Sequence, residues 1–74
     1  MGKGRTRITN RIRALRLKNG EMTQAELAEA IDVTRQTVIA MEQGRYSPSL
    51  EVAFRTSLAL GAKLTDVFQY DQDA

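Results

Sequence analysis

At 74 residues the chain can form one domain around one modest core. Hydrophobic residues make up 42% of it, enough to fold rather than stay disordered. No apolar run approaches the roughly 20 residues needed to span a bilayer, and the basic start from Met1 to Arg7 lacks the apolar stretch of a secretory leader. The absence of cysteine excludes a disulfide framework and a thiolate metal site, and a cytoplasmic location fits best. There is also no histidine, no glycine-rich phosphate loop and no close carboxylate pair with a cleft, so an enzyme is a poor reading. Neither a cofactor, a metal nor a small-molecule ligand is expected.

The formal charge is +2, but it is unevenly spread. Lys3, Arg5, Arg7, Arg11, Arg13, Arg16 and Lys18 crowd the first 18 positions, which hold no acid. The last nine residues carry Asp66, Asp71 and Asp73 and no base. Such a basic segment attracts nucleic acid by neutralising phosphates; equally, it can be a solvated helix face balancing the acidic tail.

In chain order, residues 5–8 alternate as a short strand would. Asn10 is placed to cap a first helix, with Ile12, Leu15 and Leu17 facing inward at helical spacing, and Asn19-Gly20 ends it. Thr23-Gln24-Ala25-Glu26 has the spacing of a capping box and opens a helix to about Ala30, with Leu27, Ala28 and Ile31 on one face. Thr34 caps the next helix, which runs to about Gln43 and stops at Gly44. Ser47-Pro48-Ser49 starts a fourth helix from Leu50 to about Leu60, with Leu50, Phe54 and Leu58 at fourfold spacing. Gly61 ends it, residues 63–67 suit one helical turn, and Val67, Phe68 and Tyr70 suit an extended end. The expected class is therefore mainly α, four to five helices with a short strand pair made by the termini.

Residues 24–43 fit a helix-turn-helix unit. Two short helices crossing steeply need a small residue at their approach, supplied by Ala28. They need apolar inner faces, supplied by Leu27, Ile31, Val33, Val38 and Met41, and a tight turn at Ile31-Asp32-Val33. The outer face of the second helix must be polar to enter a major groove about 12 Å wide, and Arg35, Gln36, Thr37 and Gln43 make it so.

Residues 10–68 resemble the Cro/CI-type, or Xre, helix-turn-helix regulators, in a compact subgroup with little beyond the DNA-binding domain. The likeness rests on Met22-Thr23-Gln24-Ala25-Glu26-Leu27-Ala28, Val33-Thr34-Arg35-Gln36-Thr37-Val38, Met41-Glu42-Gln43-Gly44-Arg45-Tyr46 and Pro48-Ser49-Leu50, in that order and spacing. It implies a lambda-repressor-like bundle and a sequence-specific transcriptional regulator, most simply a repressor. It also implies that Arg35, Gln36 and Thr37 reach base edges, and that Gln24, Thr34, Arg45 and Tyr46 lie along the backbone of double-stranded DNA. Arginine can pair bidentately with guanine and glutamine with adenine. Arg16 and Glu42 match a structural ion pair of the family.

Two positions depart from the family pattern. Asp32 stands at a turn usually held by glycine, which aspartate tolerates at some cost. Ala40 stands where a polar base reader is common and offers only a methyl; Ile39 should lie partly exposed beside it.

Relatives usually bind as two-fold dimers on half-sites about 34 Å apart. With no separate oligomerisation domain to read, a homodimer surface is expected in the last third of the chain, within segment 63–74, with Leu64, Val67, Phe68 and Tyr70 as apolar candidates; covering a monomer's core is the alternative. The basic segment 1–9 is open to three readings: an arm along DNA, a strand at Thr6 to Ile8 paired with 68–70, or disorder. The rival function is a protein-binding, antitoxin-like module.

Overall fold

The computed structural model describes residues 6–73. In chain order it comprises β1 (Ile8–Asn10), α1 (Ile12–Lys18), α2 (Gln24–Ile31), α3 (Arg35–Glu42), α4 (Leu50–Leu60), α5 (Leu64–Val67) and β2 (Phe68–Tyr70). Lys3 and Arg5 lie outside the described residues.

Three of the helices start on a hydroxyl side chain that accepts an otherwise orphaned N–H. Thr23 accepts from Glu26 N–H at 3.0 Å, while the Glu26 carboxylate accepts from Thr23 N–H at 2.8 Å, completing the capping box. Thr34 accepts from Thr37 N–H at 3.2 Å, and Ser49 from Val52 N–H at 3.2 Å. Helix α1 begins differently. Asn10 belongs to β1 rather than to the cap position, which Arg11 occupies without a side-chain bond. The Asn10 carboxamide still serves the helix, accepting from Ile12 N–H at 3.1 Å and donating to the Met41 carbonyl at 2.7 Å.

Helix α2 ends at Asp32, which adopts the left-handed conformation (φ 60°, ψ 49°) while its N–H bonds back to the Ala28 and Glu29 carbonyls. The turn to α3 closes as Val33 N–H donates to Ala28 at 3.0 Å, so a small Ala28 lets the chain double back tightly. Gly61 takes the same conformation (φ 64°) at the end of α4, where a side chain would strain the backbone.

The core gathers one stripe from each helix: Ile12, Leu27, Ala28, Ile31, Val38, Met41, Leu60 and Val67. Helix α2 packs against both α3 and α4, and α5 and α1 also pack on α4. The Arg55 guanidinium reinforces the α2–α4 contact by donating to the Ile31 carbonyl at 3.3 Å.

The termini pair as a two-stranded antiparallel sheet in the register Ile8–Tyr70, Thr9–Gln69 and Asn10–Phe68. The strand lies two residues later than the expected Thr6 to Ile8. The Thr6 hydroxyl accepts from Ile8 N–H, and Thr6 N–H reaches the Gly44 carbonyl, so Thr6 is used to anchor the incoming chain rather than to pair. Arg7 meets the acidic end through its backbone, its carbonyl accepting from Asp71 N–H at 2.9 Å.

Two apolar expectations, for Leu17 and Val67, need correction, and the structure decides the facing of α4. The Leu50, Phe54 and Leu58 row of α4 points to solvent, at 69%, 50% and 81% exposure. The buried face of that helix is Ala53, Thr56, Ser57 and Leu60, three of them small. Their hydroxyls bond back to carbonyls of the same helix, Thr56 to Val52 at 2.7 Å and Ser57 to Phe54 at 2.9 Å, so burial strands no polar atom. Leu17 is exposed rather than inward-facing. Val67, a candidate for a dimer surface, is fully enclosed in the core and has no face to offer a partner.

Candidate nucleic-acid interface

One edge of the molecule brings together the N-termini of α2 and α3, where Arg35 bonds to Gln24, and the loop after α3 follows at that helix's other end. Arg35 and Gln36 are exposed in the first turn of α3, and Arg45 and Tyr46 are exposed in the loop that follows Gly44. Thr34 is exposed too, but its hydroxyl is engaged by the Thr37 hydroxyl at 3.0 Å as well as by Thr37 N–H. Thr37 is half-buried, and its polar atoms serve the start of the helix. Ile39 and Ala40 are half-buried, and the Ala40 carbonyl accepts from Arg45 N–H at 2.9 Å, fixing the loop to the helix end.

Beneath this edge the structure brings Arg16 and Glu42 together. Arg16 donates to the Glu42 carboxylate from Nε at 2.6 Å and from Nη2 at 3.2 Å, and from Nη1 to the Met22 carbonyl at 2.7 Å. Both side chains are almost wholly buried. Fork-to-carboxylate geometry with the remaining donor satisfied is the arrangement in which such a pair tolerates loss of water. It locks α1 to the end of α3, and so sets the pose of the recognition helix.

The pair also reaches the surface. The Gln24 side-chain amide donates to Glu42 Oε1 at 3.1 Å, and its carbonyl oxygen accepts from Arg35 Nη2 at 3.3 Å. A continuous chain of bonds thus runs from buried Arg16 through Glu42 and Gln24 to exposed Arg35. The sequence signals Gln24 as a backbone contact but gives no hint that it holds Arg35.

Arg13 escaped the sequence reading except as one member of the basic run. Helix α1 places it on a cleft with Thr23, Gln24, Ala25 and Arg35, at the N-terminus of α2. The first N–H groups of a helix have no intrahelical partners, and its dipole is positive there. Arginines from α1 and α3 therefore flank a cationic cleft. The available signal was that Arg13 precedes Arg16 by three residues and so shares its side of α1.

Among the described residues there is no group of His, Cys, Asp or Glu that could hold a metal ion. No helix there is long and apolar enough to cross a membrane.

Two short helices joined by a left-handed turn, the second exposing a polar first turn beside basic side chains, define a helix-turn-helix DNA-binding module. A helix-turn-helix family model, HTH_3, matches residues 12–67. The chain belongs to this family, the Cro/CI-like (Xre) transcriptional regulators, which are not enzymes. It is 57% identical over 53 residues to an HTH-type transcriptional regulator of Methanothermobacter thermautotrophicus, covering 70% of this chain and 77% of that one. It is 41% identical over 66 residues to the HTH-type transcriptional regulator YgzD of Bacillus subtilis, covering 89% and 98%. Among solved structures it resembles the clp gene regulator ClgR from Corynebacterium glutamicum, with a TM-score of 0.69 and 36% identity. That match covers 74% of this chain but only 57% of ClgR. A solved protein structure from Bacteroides fragilis shares the fold at a TM-score of 0.72 and 21% identity, over 84% of this chain and 98% of that one.

Proposed function

We propose that the chain acts as one DNA-binding unit in the cytoplasm, a repressor that occupies a two-fold symmetric operator as a homodimer. Exposure of Arg35 and Gln36 in the first turn of α3, with Arg35 braced by Gln24, carries this reading. Arg35 and Gln36 read base edges, with guanine and adenine as their respective bidentate partners. Thr37 joins them at base edges, its hydroxyl already bonded to that of Thr34 and keeping acceptor capacity for one further bond. Gln24, Thr34, Arg45 and Tyr46 lie along the phosphates, and Arg13 joins them from α1. Contacts of the second kind fix register without reading sequence.

The test is binding to operator duplexes at several salt concentrations. Wild-type binding should weaken steeply with salt and favour one sequence, and Arg35→Ala with Gln36→Ala should remove that preference while leaving salt-dependent residual binding. Binding that is weak, indifferent to sequence and unaffected by those changes would instead favour a protein-binding, antitoxin-like module.

A further inference from the structure

We propose that the exposed face of α4 is the surface on which a second copy of this chain docks, with Phe54 on the two-fold axis. This rests on the homodimeric reading above and specifies the surface it uses. Leu50, Phe54 and Leu58 occupy one row along an 11-residue helix, and nothing among the described residues covers them. Phe54 exposes half of roughly 200 Å², and the two smaller leucines bring the apolar surface of the row to about 350 Å². Contiguous patches of that extent on small proteins commonly mark interaction sites.

The row is self-complementary. Leu50 and Leu58 stand four residues either side of Phe54, about 6 Å along the helix in each direction. An antiparallel two-fold pairing therefore sets Phe54 against the partner's Phe54 and Leu50 against the partner's Leu58, as an isologous contact requires. No charged residue lies in the row. Glu51 and Arg55 flank it and are bonded to each other at 2.7 Å, so closing the interface strands no unpaired charge. Beside Leu50 runs an apolar groove lined by Ile8, Pro48, Ala53, Leu64 and Phe68, over which the partner's Leu58 would lie. Leu64 and Phe68 thus contribute to the surface while Val67 does not.

Size and placement fit the same partner. Two such strips, fully covered, bury about 700 Å² together, and the groove and rim carry this toward the lower end of a specific interface. A dimer of that size is weak alone and is completed by binding both half-sites. Helix α3 packs chiefly on α2, so pairing through α4 leaves Arg35 and Gln36 exposed.

Sedimentation velocity from micromolar to millimolar protein provides the first test, on wild type and Phe54→Glu. Wild type should pass from monomer to dimer. Phe54→Glu, which sets two carboxylates on the axis, should remain monomeric throughout, at least a hundredfold loss of self-affinity, with an unchanged far-UV circular dichroism spectrum. Oxidative cross-linking gives the register, because the chain has no cysteine of its own. Phe54→Cys should link to itself, whereas Leu50→Cys should link to Leu58→Cys in a mixture faster than either links alone. A dimeric Phe54→Glu, or linkage through Tyr70→Cys but not Phe54→Cys, overturns the surface and leaves the homodimer standing. Wild type that stays monomeric overturns both and leaves the strip to a different protein.

Discussion

Replacing Glu42 by alanine should unfold much of what the domain has in reserve. The substitution removes three hydrogen bonds, two from Arg16 and one from Gln24. It leaves the Arg16 guanidinium buried with only the Met22 carbonyl as partner. Stranding one member of a buried pair costs about 3–5 kcal/mol, against a total stability of roughly 4–11 kcal/mol for a chain of this length. At about 4–8 °C per kcal/mol for a small domain, the melting temperature should fall by at least ~12 °C. Urea titration followed by far-UV circular dichroism reads the change directly. The double variant Arg16→Met, Glu42→Leu tests the cause. It removes both charges and fills the space, so it should recover most of the loss. A cost below about 1 kcal/mol for Glu42→Ala, or a double variant as unstable as the single one, would refute the claim that stranded charge dominates.

Other outcomes follow from single contacts. Asp32→Gly should raise stability by about 0.5–1 kcal/mol in thermal unfolding, because glycine adopts the left-handed turn without strain. Thr34→Ala removes the acceptor at the start of α3 and should cost about 1 kcal/mol by the same measurement. In binding titrations, Gln36→Ala should cost about 1–3 kcal/mol on a specific duplex and little on a random one. Arg45→Ala should weaken both alike and lower the slope of log affinity against log salt by about 0.9.

Much of the fold was legible because local chemistry fixes helix ends. Thr23, Thr34, Ser49 and Gly61 each mark a boundary through a bond or a backbone conformation that few residues provide. The exposed positions of Arg35 and Gln36 were legible for the same reason, since the cap at Thr34 sets the phase of α3. Facing was harder to read. In α4 Leu50, Phe54 and Leu58 point outward, while Ala53, Thr56, Ser57 and Leu60 form the buried face, the hydroxyls of Thr56 and Ser57 finding partners within the helix. Periodicity identifies an apolar row but does not say whether its own chain or another covers it. Asn10 was read as a cap because its bond to Ile12 N–H mimics one, while its strand role depends on residues 68–70, nearly 60 positions away. The Arg16–Glu42–Gln24–Arg35 chain was only partly visible, since Gln24 joins it through tertiary packing that no spacing rule encodes.

The central claim is that the first turn of α3 reads DNA sequence. Selection of bound fragments from the source genome, run in parallel with wild type and with Arg35→Ala, Gln36→Ala, tests it most directly. Wild type should enrich a pair of inverted half-sites about 34 Å apart, one turn of B-DNA, and the variant should enrich none. Enrichment of the same motif by both proteins, or of no motif by wild type, would contradict it.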